Sequence, residues 1–255
     1  MSRPDDDVVT GLRAAGSVFA EDEAAELRRT FDGDALLRAV ERRIAGEPFE
    51  HVVGWADFAG VRVTVRPPVF VPRRRAEVLV DAALELLRDK PSDAVVVDVG
   101  CGSGAIAAAL VSRSPGVRCH AVDIDDDAVA CACENGQQFG FTVHQGSWLA
   151  GLPGELRGAV DLAVAHLPYV PTSDLPLLPR DYREAERSLA VDGGSDGLDP
   201  LREVVEQLVT WLSPAGVFVT QVTSRQIPAA LRVAADAGLG HHVLDDDAGL
   251  VVIRR

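Results

Sequence analysis

The sequence predicts an α/β fold: a mostly parallel sheet with helices on both faces, preceded by a small helical unit. Three observations carry this. Val95-Val96-Val97-Asp98-Val99 is a β-branched run that breaks at Gly100-Cys101-Gly102-Ser103-Gly104 and passes directly into Ala105-Ile106-Ala107-Ala108-Ala109-Leu110, the pattern of strand, tight turn and helix. Downstream, short β-rich runs alternate with amphipathic stretches, the order that builds a parallel sheet covered on both sides. Upstream, residues 8–45 carry apolar side chains at three- and four-residue spacing.

Taken in order, helices are expected over 8–15, 21–31 and 34–44, the last two separated by Gly33-Asp34. They form a helical N-terminal domain, residues 1–48. Runs 52–58 and 61–65 alternate around Ala59-Gly60 and predict a β-hairpin, placed in a linker of residues 49–72. The third domain, 73–255, opens with Arg73-Arg74-Arg75 and a helix to about residue 87; its arginines face an acidic partner, a ligand carboxylate or solvent. Strands follow at 95–99, 118–124, 142–145, 160–166, 217–223, 240–244 and 249–253, with helices at 105–112, 126–139, 201–212 and 227–237. Asp199-Pro200 predicts an N-cap and a first-turn proline for the helix at 201.

With 255 residues and a formal net charge of −14, the average surface repels a phosphate backbone, so nucleic acid is disfavoured as a partner. Neither a basic-then-apolar leader nor an apolar run of bilayer length is seen, so a cytoplasmic protein without a membrane partner is expected. Cys101, Cys119, Cys131 and Cys133 lack the paired spacing of a metal site; reduced thiols and no metal are expected. His51, His120, His144 and His241-His242 have no carboxylate at a recognisable spacing and are read as surface or core histidines. No Ser-His-Asp pattern or paired carboxylates suggest a hydrolase.

Ligands of doubly wound sheets lie beyond the C-terminal strand ends, here Gly100–Gly104, Asp123, 145–148, 166–169 and 221–224. Glycines there allow a sharp turn and close approach of a ligand, and the following helix N-terminus adds free amides. Asp123, about 20 residues on, suits a ribose diol. Gly100, Gly102 and Ala105 also fit a dinucleotide fingerprint, so a nicotinamide dinucleotide and S-adenosylmethionine both remain. Asp98, two residues before the first glycine, can answer a cationic amino-acid moiety. With Gly104, it favours the methyl donor.

The strand at 160–165 ends in His166-Leu167-Pro168-Tyr169, which resembles the Asn-Pro-Pro-Tyr acceptor loop of amino-group methyltransferases. Nearly the whole chain resembles the HemK/PrmC family of protein glutamine N-methyltransferases, its actinobacterial-type members most of all. Gly46-Glu47-Pro48 with His51-Val52-Val53-Gly54-Trp55-Ala56-Asp57-Phe58 is similar to that family's linker, Val69-Phe70-Val71-Pro72-Arg73-Arg74-Arg75-Ala76-Glu77 to its Pro-Arg-x-x-Thr-Glu segment, and Asp192-Gly193-Gly194-Ser195-Asp196-Gly197-Leu198 to its Gly-Gly-x-Asp-Gly-Leu stretch. The resemblance implies a Rossmann-like, class I methyltransferase sheet of seven strands. It implies that Asp98, Gly100, Cys101, Gly102, Ser103, Gly104, Asp123, Ile124, Ser147, Trp148 and His166 bind S-adenosylmethionine. It further implies that His166, Leu167, Pro168 and Tyr169 bind the acceptor, with His166, the Leu167 carbonyl and Tyr169 catalytic.

The chain departs from the family at His166 for asparagine, Leu167 for proline, Ala76 for threonine, and Arg187 for the proline after Glu186. Three readings of His166 stand side by side: a stand-in for asparagine in methylating a glutamine of a release-factor-like protein; a general base for a small-molecule amine or hydroxyl acceptor; or a mark of a protein that binds donor without transfer.

Overall fold

A computed structural model describes the backbone of residues 4–178, 185 and 187–255; Glu186, singled out above, lies outside the described residues. Helices α1 (Pro4–Ala14), α2 (Ala20–Thr30), α3 (Gly33–Ile44) and α4 (Phe49–Val53) enclose a core of Leu12, Ala24, Leu27, Ala39, Val40, Val52 and Val53. Val52 and Val53, expected in a strand, are therefore helical. Their side chains fill the helical core, and Gly54, at φ 84, ends the helix after one turn. The hairpin starts later, with β1 (Trp55–Phe58) antiparallel to β2 (Val61–Thr64).

After a 3₁₀ turn at Arg74–Ala76 come α5 (Glu77–Leu87), β3 (Val95–Val99), α6 (Ala105–Arg113), β4 (Arg118–Asp123), α7 (Asp126–Phe139), β5 (Thr142–Gln145) and β6 (Val160–Ala165). Helix α8 (Asp199–Trp211), β7 (Leu212–Gln221), α9 (Ile227–Asp236), β8 (Gly240–Asp245) and β9 (Leu250–Arg254) complete the chain. The seven strands run in the order β5-β4-β3-β6-β7-β9-β8, parallel except where β9 pairs with β7 and β8. The sheet is thus Rossmann-like, as expected.

Alternation along β3 sorts its side chains. Val95, Val97 and Val99 join α8 and α9 in one core, whereas Val96 faces α5 and α6 in the other. Asp98 shares the Val96 face and so meets α6. Burial of the β3 valines on both sides accounts for the unbroken apolar run that marked this strand in the sequence.

Ala56, Phe58 and Val63 of the hairpin pack into the α/β core, and a buried amide adds a polar tie to the glycine turn. Asn135 on α7 accepts from Thr64 N at 2.8 Å and donates to Thr64 O at 2.9 Å and Ser103 O at 2.8 Å, so one amide grips the β2 edge and the glycine turn. Replacing it would strand these backbone groups away from water. Asn135→Ala is expected to lower the unfolding free energy by about 2–3 kcal/mol, read from the urea midpoint at unchanged slope.

Candidate functional site

A cavity of about 540 Å³ opens at the C-terminal ends of β3, β4 and β6, within the range of small-molecule sites. Its wall includes Asp98, Gly100, Cys101, Gly102, Ser103, Asp123, Ile124, Ser147, Trp148, His166 and Pro168, all expected in a site from sequence. Gly104 lies behind the wall: a Cβ there would meet the Phe141 ring at 2.8 Å. Residues 221–224, also expected near the ligand, do not line the cavity. Gln221 instead donates to Ala248 O at 2.9 Å and Arg75 O at 3.4 Å.

Parallel pairing of Val99 with Val122 sets the turn. The Val122 carbonyl accepts from Gly100 N at 2.8 Å and Cys101 N at 3.0 Å. Gly100, Gly102 and Gly104 take φ of 67°, 55° and 76°, where a Cβ is strained, and a Cβ on Gly102 would point into open space. The turn therefore presents bare backbone to the cavity.

Asp123 braces the same turn. Its Oδ2 accepts from Gly102 N at 2.8 Å and its Oδ1 from Asp125 N at 3.0 Å. A carboxylate accepts at about four positions, so accepting capacity remains for a ligand hydroxyl. Burial pushes its pKa up, while these backbone bonds pull against that. The N-cap of α7 is Asp125, whose side chain accepts from Asp127 N and Ala128 N.

Asp98 is buried, and desolvation raises its pKa to about 8, opposed by the bond it accepts from Ala107 N at 3.0 Å. A buried carboxyl of this kind favours a cationic ligand group, which would offset its desolvation. Cys101 is buried beside it, and its thiol is pushed far above the ordinary value, which makes it inert as a nucleophile.

Beside the glycine turn, Trp148 adopts φ 51, a costly conformation for a bulky residue. Its Nε1 donates to Glu203 Oε2 at 2.6 Å, and its ring lies where a Cβ on Gly100 would be, 3.1 Å away. Ile124 exposes 54% of its surface at the rim, an apolar face offered to a planar ligand.

His166 and Pro168 divide this cavity from a smaller one of about 30 Å³, whose wall holds Leu167, Tyr169, Phe70 and Arg75. Leu167 and Tyr169 thus face the small cavity, not the large one. The His166 ring lies 5.7 Å from Tyr169 and 6.0 Å from Phe70, and its Nε2 is buried without a hydrogen-bond partner among the described residues. Burial, then the charges of Arg75 and Arg73, lower its pKa to about 4. His166 is therefore neutral at physiological pH and a weak proton acceptor, which counts against the general-base reading. Arg75 covers the Tyr169 ring at 5.3 Å and Arg73 the Phe70 ring at 5.0 Å.

Several contributors carried no sequence signal of this role. Glu203 holds Trp148, and Arg187 spans the cavity mouth to Asp125 at 2.6 Å and to Asp127. Asp199, expected as a cap, makes no side-chain cap bond; it lines the cavity and pairs with Arg202 at 2.7 Å. His120 Nδ1 and His144 Nε2 meet at 3.0 Å across β4 and β5, a pairing that the sequence reading did not anticipate. His51 is a core histidine whose Nε2 donates to Val69 O at 2.8 Å. Among the described residues no three His, Cys, Asp or Glu side chains form a metal-ligand group, and no helix is long and apolar enough to cross a membrane.

The Asp98 carboxyl has a stability consequence. Its ordinary pKa of 3.8 applies unfolded and about 8 folded, so between these values the folded state holds the extra proton and stability falls as pH rises, levelling off above about 8. Asp98→Asn keeps an acceptor for Ala107 N. The variant is expected to gain on the parent progressively from pH 5 to 8 in urea unfolding, by at most about 1.4 kcal/mol per pH unit.

Comparison with known proteins agrees with this architecture. The family model "Methyltransferase small domain" matches residues 62–156. The chain is 39% identical over 218 residues to the release factor glutamine methyltransferase of Moorella thermoacetica, covering 83% of this chain and 75% of the relative. It is 37% identical to that of Geobacter sulfurreducens (78% and 69% covered) and 36% to that of Streptomyces coelicolor (79% and 73%). Among solved structures, a methyltransferase from Pyrococcus furiosus superposes with a TM-score of 0.54 at 14% identity, covering 76% of this chain and 89% of the other. The ribosomal protein L11 methylase of Lactobacillus delbrueckii subsp. bulgaricus gives 0.51 at 19%, covering 74% and 81%. These two share the fold. With such sequence identity over three quarters of a curated relative, the chain belongs to the HemK/PrmC family of S-adenosylmethionine-dependent release factor glutamine methyltransferases.

Proposed function

We propose that this enzyme N-methylates a glutamine side-chain amide of a release factor, with the large cavity as donor site and the His166–Tyr169 loop as acceptor site. The observation that carries the acceptor assignment is the neutral His166 imidazole, its buried Nε2 unpartnered among the described residues, between the two cavities and flanked by the Phe70 and Tyr169 rings. A neutral imidazole has one acceptor and one donor nitrogen, so it can take a hydrogen bond from an amide NH₂ as asparagine would. The aromatic rings suit a planar amide. Alignment of that nitrogen is the main contribution a protein makes to an in-line displacement. The proton lost by the nitrogen passes to water, because a ring with a pKa of about 4 is a poor acceptor for it, which supports positioning over base catalysis.

For the donor, the chain's residues fit the group. The glycine turn gives bare backbone, Asp98 suits an ammonium, the remaining accepting capacity of Asp123 suits a ribose, and Ser147, Trp148 and Ile124 offer a wall to the base. Cys101 and Ser103 complete the turn. S-adenosylmethionine, when bound there, supplies a methyl group on an electrophilic sulfonium.

Two measurements test this. Incubated with methyl-labelled S-adenosylmethionine and purified release factor, the enzyme is expected to label one glutamine, located by peptide mass spectrometry. Label on other residues, or on small molecules alone, would overturn the reading. His166→Asn is expected to retain or raise that transfer, and its loss would show that imidazole has a role asparagine cannot fill. In calorimetry, Asp123→Ala is expected to weaken donor binding about 10–100-fold, because ribose acceptors and the brace on Gly102 go together.

A further inference from the structure

Gln226 lies outside both cavities, at the start of α9, yet exposes only 9% of its surface. Although it is the N-cap residue, its side chain makes no cap bond to the helix. Its Nε2 donates instead towards Tyr169 O at 3.0 Å, Asp196 O at 3.0 Å and Gly197 O at 3.3 Å. Its Oε1 accepts from Thr223 N at 3.0 Å and Thr223 Oγ1 at 2.8 Å. Both donors and both acceptor positions of the amide are thus in use. Gly197, at φ 77, makes room: a Cβ there would overlap the Gln226 nitrogen and the Tyr169 carbonyl.

The target of this amide is the acceptor loop's backbone. Downstream, Val170 N donates to Val191 O at 3.1 Å and Val170 O accepts from Gly193 N at 2.8 Å. Gln226 holds the adjoining carbonyl, that of Tyr169, two residues from the Leu167 carbonyl and three from His166. Because Pro168 limits the freedom of Leu167, a fixed Tyr169 peptide fixes the whole turn.

We propose that Gln226 is a positioning residue for methyl transfer: its amide clamps the Tyr169 carbonyl to the 196–197 turn and to the end of β7, and so aims His166 and Tyr169 at the acceptor. This rests on reading 166–169 as the acceptor loop. A displacement of about 1 Å at such a loop is enough to cost rate without affecting a ligand bound elsewhere.

The test compares Gln226→Met, of similar length without hydrogen bonds, with Gln226→Glu, which keeps the acceptor towards Thr223 and loses the NH₂. In both, donor affinity by calorimetry is expected within about twofold of the parent, while kcat with release factor falls at least about tenfold at unchanged KM for the donor. Activity of Gln226→Glu, taken relative to the parent, is expected to recover as pH is lowered, since a protonated carboxyl donates again to Tyr169 O. A readout independent of turnover is the ring titration of His166 by NMR, expected to move up from about 4 towards its ordinary 6.5 once the loop shifts.

Unchanged kcat and unchanged His166 titration in folded variants would overturn the clamp. Donor affinity falling in parallel with kcat would also overturn it, by showing a general structural defect. If the parent labels no glutamine while the His166 titration still moves, the proposed acceptor fails and the clamp stands. Should both variants fail to fold, Thr223→Val, which removes one of the two donors to Oε1, is expected to lower kcat two- to threefold with donor affinity retained; no change would overturn the proposal.

Discussion

The site depends on how the glycine turn is docked onto the end of β4. The register that pairs Val99 with Val122 leaves the Val122 carbonyl facing the amides of Gly100 and Cys101, and the next residue, Asp123, takes the amide of Gly102. One strand end therefore shapes the turn and supplies the carboxylate beside it. The packing behind follows: Phe141 and Trp148 close against positions where any side chain on Gly104 or Gly100 would intrude. Asn135 then carries the constraint outward, holding the Ser103 carbonyl and the β2 edge with one amide. The hairpin is thereby part of the support of the large cavity as well as a connection to the helical unit.

Two buried titratable groups divide the cavity by polarity. Asp98 is driven towards its neutral acid by desolvation, and His166 towards its neutral base by desolvation and the nearby Arg75 and Arg73. Each bears the cost of leaving water with little internal compensation, a pattern expected where a ligand is to supply the missing partner. A cation would offset the desolvation of Asp98, and an uncharged hydrogen-bonding group that of His166. In a chain of net charge −14, Arg73 and Arg75 lie close enough to His166 to lower its pKa, and Arg187 pairs with Asp125 and Asp127.

Much of the fold was legible because the relevant forces are local. The β-branched run at 95–99, the glycine turn after it and the helical spacing of residues 8–44 each declare themselves within one turn or strand. Val52-Val53 misled for the same reason. Their β-branched pair reads as strand, but burial in the helical core and the left-handed Gly54 outweigh propensity. Asp199 misled too, since a proline following an aspartate signals a cap whether or not the side chain turns inward.

For the cavity, the sequence by itself determined lining residues that sit on one continuous turn or strand end: Asp98, Gly100, Gly102, Asp123, His166 and Pro168. Their spacing is their geometry, because a strand end and the turn after it leave few ways to arrange backbone. Tertiary structure alone decided what surrounds them. That Glu203 holds Trp148, that Phe70 and Arg75 bracket His166, that His120 meets His144 and that Gln226 reaches Tyr169 depend on strand order and helix packing between segments 24 to 96 residues apart. The protonation states of Asp98 and His166 were equally hidden. A pKa is set by burial and neighbouring charge in three dimensions, and neither is a property of a residue's place in the chain.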